Sequence, residues 1–208
     1  MAIERISELE VRVTMPLTDE DVLQLKIGDH ARINGTIYTA RDAAHNRLIE
    51  TLDAGGRMPI DVRGQLIYYT GPTPARPGHV IGAMGPTTAM RMDPFTPRLL
   101  EAGLKATMGK GNRGPEVREA LRRHTAVFFA AVGGAGAMLS QFIKTVEVVA
   151  YEDLGTESLK RVEMEDFPAV VMDDCAGRDL LDEGRKRWRN LDKLGSYTPS
   201  DRIVVSGG

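Results

Sequence analysis

The pattern of apolar and polar positions predicts regular structure from the start of the chain. In "SELEVRVTMPL" apolar residues alternate with polar ones, which predicts a strand with Val11 and Val13 on one face. The segment "TDEDVLQL" predicts a short helix, because Thr18 stands at the N-cap position and acidic residues fill the first turn. The chain is therefore expected to begin with a strand followed by a capped helix.

The next two segments predict a hairpin and a longer helix. In "HARINGTIYTA" the dipeptide Asn34-Gly35 is typical of a tight turn, which predicts two strands joined by a hairpin. In "RDAAHNRLIETLDAGG" we expect Asp42 to cap a helix that ends at Gly55-Gly56. The first quarter of the chain is thus predicted to be rich in strands, with the short helix after Thr18 and this longer one.

The middle of the chain repeats the order strand, glycine-bearing turn, helix. An apolar strand in "QLIYYTGPT" stops at Gly71-Pro72, and "VEVVAYED" and "FPAVVMDDCAGRD" predict later strands. Between them the order occurs three times, in "VIGAMGPTTAMRMDPFTPRLLEAG", "KATMGKGNRGPEVREALRRH" and "TAVFFAAVGGAGAMLSQFIKT". This order predicts an α/β fold, a single domain of mixed sheet with flanking helices. We expect the domain to span residues 1–188 and residues 189–208 to form a tail that is mobile or contacts a partner.

Composition and charge narrow the classes of function. The chain has 208 residues, of which 42% are hydrophobic and 27% charged, and its net charge is −2. Nothing in this balance predicts binding to nucleic acid or to an anionic membrane. No stretch approaches the roughly 18 apolar residues of a membrane span, and the charged N-terminus lacks the apolar run of a signal peptide. These features predict a cytoplasmic protein.

The single cysteine, Cys175, limits the possible redox and metal chemistry. One cysteine excludes an internal disulfide and cannot by itself hold a zinc ion or an iron–sulfur cluster. We favour a small buried or loop residue over a reactive thiol at this position. Any soft-metal chemistry is therefore expected to come from another chain.

A candidate anion site lies in the turn "GPTTAMRMD". Ligands of α/β sheets bind beyond the carboxyl ends of strands, where helix N-termini present free N–H groups. Thr87 and Thr88 add hydroxyl groups there, and Arg91 follows at helical spacing on the same face. Two interpretations stay open from the spacing alone: a clamp for a carboxylate or phosphate, and a threonine N-cap with Arg91 paired to Asp93.

Two further cations lie at strand-to-helix turns. Lys110 stands between glycines in "MGKGNRG", which is not a nucleotide P-loop because Gly111 follows the lysine; a solvated loop lysine is the alternative to an anion contact. Arg41 follows a predicted strand, and His45 one turn later is more typical of a structural histidine than of a catalytic one. The glycines of "VGGAGAM" lack the dinucleotide fingerprint and favour close packing. Three cations and two threonines suit a small dianion with a carboxylate at each end.

Several long motifs, taken in order, resemble the β component of the iron–sulfur-dependent class I fumarases and of the related two-subunit tartrate dehydratases. The resemblance runs from about residue 10 to residue 185. It is carried by "YTARDAAHNRL", "GPTTAMRMD", "GKGNRG", "GGAGAMLSQFIK" and "EDFPAVVMDDCAGRD".

The resemblance implies a fold, a partner and a cofactor. The fold would be a swivelling β/β/α domain, and a separate α component would supply three cysteines for a [4Fe–4S] cluster with one open iron. This chain would bind no metal itself and would be inactive without its α partner. The resemblance also implies a hetero-oligomer, and leaves open a homodimer through this chain.

The resemblance also assigns roles to the candidate residues. It implies that Arg41, Arg91 and Lys110 bind the substrate carboxylates, with Thr87 and Thr88 near the reacting carbons. Thr87 is the candidate for proton transfer, although a threonine hydroxyl is a poor base unless its surroundings activate it. The implied reaction is the reversible hydration of fumarate to malate.

The choice of substrate rests on details of these motifs. "KGNRG", "GGAGAMLSQ" and "EDFPAVVMDD" resemble the fumarase branch, whereas tartrate enzymes carry a different residue pair after the lysine and glycine. Ala135 departs from the fumarase pattern, which usually has a proline in this segment. The alternatives are therefore the β subunit of an L(+)-tartrate dehydratase and, from another class of protein, a non-catalytic anion-binding domain.

Overall fold

The computed structural model describes residues 2–190, whose strands form one mixed sheet. The strands are β1 (Ile3–Arg5), β2 (Glu10–Thr14), β3 (His30–Thr39), β4 (Leu66–Tyr68), β5 (Ala106–Gly109), β6 (Val127–Ala130), β7 (Ile143–Ala150) and β8 (Leu159–Asp173). The α-helices are α1 (Asp19–Val22), α2 (Asp42–Asp53), α3 (Thr96–Glu101), α4 (Pro115–Arg123), α5 (Gly136–Leu139) and α6 (Leu180–Trp188). Short 3₁₀ helices span Ala89–Met92, Ser140–Phe142 and Glu152–Glu157.

The sheet combines a parallel centre with antiparallel flanks. Its strand order is β1-β2-β3-β4-β5-β6-β8-β7, and the neighbours from β2 to β6 are parallel. β8 is antiparallel to β6, and it also pairs antiparallel with β3 along most of its length. This second pairing closes a circuit of strands, β3-β4-β5-β6-β8 and back to β3. The predicted α/β domain with a mixed sheet and flanking helices is therefore confirmed, while the swivelling movement stays a prediction.

Alternate residues of the central strands enter two separate cores, as a strand period of two requires. On one side Tyr68, Met108 and Phe129 pack with residues of β1, β2 and β8. On the other side Ile67 and Phe128 pack against the apolar faces of the helices α2, α3 and α4. The helices thus cover one side of the sheet, and their N-termini and the preceding turns meet at its carboxyl edge.

Most elements at the start of the chain agree with the sequence predictions. Val11 and Val13 are fully buried in β2. Thr18 is the N-cap of α1 and forms a capping box with Asp21. Helix α2 ends at Asp53, close to the predicted stop.

The predicted hairpin at Asn34-Gly35 is wrong, because both residues lie within the continuous strand β3. Gly35 has a positive φ of 90°, and the register against β8 shifts between Ile33 and Gly35. The side chain of Asn34 bonds to Asp166 across this shift, at 3.2 and 3.0 Å. A positive φ serves a β-bulge as well as a turn, so the dipeptide alone does not distinguish the two.

The apolar segment of residues 80–84 is not the predicted strand. Its backbone is irregular, although Met84 is fully buried. No helix within residues 2–190 has the length and apolar character needed to cross a membrane. The cytoplasmic location stays a prediction, and the predicted tail lies outside the described residues apart from residues 189 and 190.

Candidate active site

The five candidate residues all follow the carboxyl ends of neighbouring parallel strands. Arg41 comes two residues after β3, Lys110 comes directly after β5, and the segment with the other three candidates follows β4. Since β3, β4 and β5 are parallel neighbours, their carboxyl ends meet at one edge of the sheet. The topology therefore brings the three loops to a common edge.

Backbone hydrogen bonds fix Thr87 and Thr88 between the ends of β4 and β5. The N–H of Thr87 donates to the Tyr69 carbonyl at 2.7 Å, and the Thr87 carbonyl accepts from the Lys110 N–H at 3.0 Å. The N–H of Ala89 then donates to the Lys110 carbonyl at 2.8 Å. Thr87 is half-buried and Thr88 is exposed. In the described part of the chain neither hydroxyl is engaged by another side chain, so both remain available to a ligand.

The segment before the threonines is held by side chains of the sheet and by a second turn. The hydroxyls of Tyr68 and Thr70 donate to the carbonyls of Met84 and Gly85, at 2.7 and 2.8 Å. A Cβ on Gly136 would lie 2.9 Å from the Gly85 nitrogen, so only glycine allows the two turns to approach this closely. The prediction that the glycines of "VGGAGAM" serve close packing is confirmed at Gly136.

Lys110 is exposed, and it has no acidic partner within residues 2–190. Its side chain passes over Gly133, where a Cβ would lie 3.3 Å from the lysine Cδ and 3.8 Å from Nζ. Gly133 thus leaves room for the lysine. An exposed ammonium without a counter-ion is suited to meeting an anion.

Arg41 lies at the start of α2 with its guanidinium packed over a glycine. Its Nη2 is 3.4 Å from Oε1 of Glu157, and its buried Nε has no hydrogen-bond partner. A Cβ on Gly71 would lie 2.9 Å from Nη1 of the arginine. Arg41, and not Asp42, is the N-cap residue, and its own side chain makes no capping hydrogen bond, while Oε2 of Glu157 accepts from the Ala43 N–H at 3.3 Å. Asp42 is instead the first residue of the helix.

Arg91 forms a two-point ion pair with Asp42. Its Nε donates to Oδ1 at 3.0 Å, and its Nη2 donates to Oδ2 at 2.7 Å. The alternative pairing of Arg91 with Asp93 is therefore wrong. Thr88 does stand at the N-cap of a 3₁₀ helix, but its side chain makes no capping hydrogen bond.

Asp93 instead binds Arg113, a buried arginine that the sequence analysis missed. The two oxygens of Asp93 accept from Nε of Arg113 at 2.8 Å and from the Gly114 N–H at 2.7 Å. The guanidinium also donates to Thr96 at 2.6 Å, and it lies 5.0 Å from the ring centre of Phe128. This pair ties the loop of Lys110 to the segment of Arg91. No pattern pointed to it, because arginine in a polar glycine turn is typical of an exposed residue.

His45 has the structural environment that the sequence predicted. It is fully buried, and its Nδ1 donates to the Arg41 carbonyl at 2.8 Å. Its ring packs against Tyr69 and Phe95, with ring centres 5.3 and 5.8 Å apart. Burial lowers the pKa of His45 to about 4, so the ring is neutral near pH 7. Its Nε2 has no hydrogen-bond partner in the described structure.

Metal binding requires a different set of side chains from anion binding. Within residues 2–190 no group of three His, Cys, Asp or Glu side chains is arranged to hold a metal ion. Burial raises the pKa of the Cys175 thiol, which therefore stays protonated near neutral pH. The described side chains at this edge present arginine, lysine and hydroxyl donors instead.

Comparison with known proteins adds a family to this geometry. The chain matches the family model described as Fumarase C-terminus over residues 2–184. The class I aerobic fumarate hydratase of Escherichia coli K12 is 36% identical over 179 residues, which cover 83% of this chain and 33% of that protein. The class I anaerobic enzyme of the same strain is 38% identical over 162 residues, covering 77% of this chain and 30% of that protein.

A third relative is a separate subunit. The putative L(+)-tartrate dehydratase subunit beta of Methanocaldococcus jannaschii is 34% identical over 185 residues, covering 86% of this chain and 95% of that protein. By contrast, this chain spans about a third of the length of the fumarate hydratases. The resemblance inferred from the motifs is confirmed, and the chain belongs to the Fumarase C-terminus family, whose members include parts of hydro-lyases.

Proposed function

We propose that this chain supplies the carboxylate-binding part of a hydro-lyase active site that interconverts fumarate and malate. The observation that carries the proposal is the collection of Arg41, Arg91 and Lys110 around Thr87 and Thr88 at one sheet edge. Arginine matches a carboxylate at two points, and three cations suit a dianion. The fumarate hydratases named above support this choice of substrate.

Each group has a defined task in this proposal. Hydration adds a hydroxyl to one alkene carbon and a proton to its neighbour, which lies next to a carboxylate. Cations on that carboxylate stabilise the negative charge that builds up in the transition state. Binding both carboxylates also fixes which face of the alkene is attacked. Thr87, whose peptide is hydrogen-bonded on both sides, would hold its hydroxyl at the carbon that exchanges the proton.

The [4Fe–4S] cluster expected for class I fumarases does not fit the described residues of this chain. Its ligands would be several thiolates, whereas the sequence has one cysteine with a pKa raised by burial. We propose that a separate fumarase α subunit holds the cluster and that this chain is inactive without it. The partner would meet the edge that carries the strand-to-helix turns, and residues 1–188 would form the domain that binds it.

A second candidate function is the dehydration of L(+)-tartrate as a β subunit. It is favoured by the relative from Methanocaldococcus jannaschii, of which the chain covers 95%. Tartrate differs from malate by one hydroxyl, so the same cations would bind its two carboxylates.

The two candidates are separated by one experiment. The full chain is co-expressed without oxygen with a cysteine-bearing α subunit, and the purified complex is assayed with fumarate, malate and L(+)-tartrate. Activity on fumarate and malate that requires both chains supports the first proposal, and activity on tartrate alone supports the second. A stable, folded chain without activity on any of the three, in the presence of a loaded partner, indicates a non-catalytic anion-binding domain.

A further inference from the structure

The orientation of Arg91 depends on a single acidic side chain. The side chain of Arg91 is 50% exposed, and the two hydrogen bonds to Asp42 are the contacts that hold it among residues 2–190. A long exposed side chain without such a partner distributes over many rotamers. The Asp42 contact therefore decides where this guanidinium points.

Asp42 occupies only one side of the guanidinium. The ion pair uses the edge formed by Nε and Nη2. The outer edge, formed by the two Nη groups, keeps N–H donors spaced to match a second carboxylate. Arg91 is therefore able to hold Asp42 and a substrate carboxylate at the same time.

Asp42 is itself held in a fixed place. It is the first residue of α2, where the helix dipole favours a negative charge, and its Oδ2 lies 3.8 Å from Nε of Arg41. Glu157 makes a comparable set of contacts. Its Oε2 accepts from the Ala43 N–H at 3.3 Å, and its Oε1 lies 3.4 Å from Nη2 of Arg41. One carboxylate thus lies between two of the cations assigned to the substrate.

We propose that Asp42 is a positioning residue that holds Arg91 ready for a substrate carboxylate, an inference that rests on the proposed function. The negative charge of Asp42, considered alone, would weaken the binding of a substrate dianion. A negative group beside the cations repels a dianion, so on charge alone its removal would tighten substrate binding. If positioning dominates, its removal weakens binding. The sign of the change therefore separates the two effects.

The test uses the complex of the full chain with its α subunit. The amide of Asp42→Asn accepts from only one N–H of Arg91 and directs its own donors at the other, so the two-point contact is lost. We expect the KM for fumarate to rise about tenfold, the loss of one good charge-assisted contact. We expect Asp42→Glu, which keeps the charge, to recover part of the loss. A KM equal to or below that of the wild type in Asp42→Asn would overturn the proposal.

A matched control is a second ion pair that also involves helix α2. Asp153, in the 3₁₀ helix Glu152–Glu157, forms an exposed two-point ion pair with both Nη groups of Arg47 of α2. Asp153→Asn removes the same charge and the same kind of contact, and we expect it to leave the KM within a factor of about two. A rise in KM equal to that of Asp42→Asn would show that any lost pair on α2 has this effect, and would overturn the specific role of Asp42.

A second measurement is independent of catalysis. The Nε–H resonance of Arg91, assigned through Arg91→Lys, is followed by ¹⁵N NMR of the full chain. We expect slow hydrogen exchange in the wild type and in Asp153→Asn, and fast exchange in Asp42→Asn. An unchanged resonance in Asp42→Asn overturns the positioning role even when the enzyme is active. If the complex is inactive on fumarate and on L(+)-tartrate while the Arg91 resonance stays protected from exchange, the proposed function is wrong. The ion pair of Asp42 and Arg91 is then a structural contact only.

Discussion

Replacing Asp173 with asparagine is expected to stabilise the chain at neutral pH far more than in acid. Asp173 ends β8, its side chain is 1% exposed, and neither of its oxygens has a hydrogen-bond partner in the described structure. Burial, and then the charge of Asp179, raise its pKa from 3.8 to about 7, while Arg113 and Arg118 oppose the shift. The folded chain therefore keeps a proton here that the unfolded chain loses.

The size of the effect follows from this shift. Between pH 3.8 and about 7 the folded chain binds more protons at Asp173 than the unfolded chain, so the free energy of unfolding falls as the pH rises. A shift of about three pH units corresponds to about 4 kcal/mol when complete. Asparagine carries no such proton. The stability of Asp173→Asn relative to the wild type is thus expected to increase by about 2.5 kcal/mol between pH 5 and pH 8.

The assay is urea unfolding of both proteins at four pH values between 5 and 8. Any difference in packing between the acid and the amide is the same at each pH, so only the slope of the difference matters. Glu8→Gln, at an exposed residue, is the control for the loss of one carboxylate from the surface. A stability difference between Asp173→Asn and the wild type that does not change with pH would refute the account of Asp173 as a buried neutral acid.

Three further predictions concern the site and its support. In the complex, Arg91→Ala and Lys110→Ala should each lower kcat/KM at least about a hundredfold without changing the unfolding midpoint of this chain, whereas Arg12→Ala, which removes a half-buried arginine paired with Glu4, should leave kcat/KM unchanged; wild-type kinetics would remove that residue from the site. Arg113→Met leaves the half-buried Asp93 without its partner and should cost about 3 kcal/mol in urea unfolding, and a loss below about 1 kcal/mol would contradict the argument from the burial of this ion pair. Gly136→Ala should lower the melting temperature by several degrees, because its Cβ meets the nitrogen of Gly85 at 2.9 Å, and an unchanged melting temperature would show that the turn relaxes freely.

Local patterns predicted the elements of the fold where a single signal specified them. The capping box at Thr18 and the alternation around Val11 depend on neighbouring residues alone, and both predictions hold. Asn34-Gly35 failed because a positive φ is compatible with a hairpin and with a bulge, and only the β8 partner decides between them. The strand predicted at residues 80–84 is wrong because an apolar run indicates only that a segment is buried, and an irregular segment is buried as well.

The candidate site could likewise be predicted from the sequence only in part. That the cations would share one edge followed from the rule for strand ends in α/β sheets. Their partners did not follow, because the pair of Asp42 and Arg91 is separated by 49 residues and that of Asp93 and Arg113 by 20. A pair with Asp93, an acid near in sequence, was one of two interpretations for Arg91, whereas the folded chain pairs Arg91 with Asp42 of a different helix.

The closed circuit of strands has a consequence for how the domain is made and used. Because β3 pairs with β8, the central strands satisfy their hydrogen bonds within the domain, and within residues 2–190 only β1 and β7 lie at the ends of the sheet. Each of the eight described strands thus has its partner within residues 2–190. That independence suits it both to translation as a separate polypeptide and to fusion within a longer one. Both cases occur among the relatives, since the matched region is 95% of one protein and 33% of another.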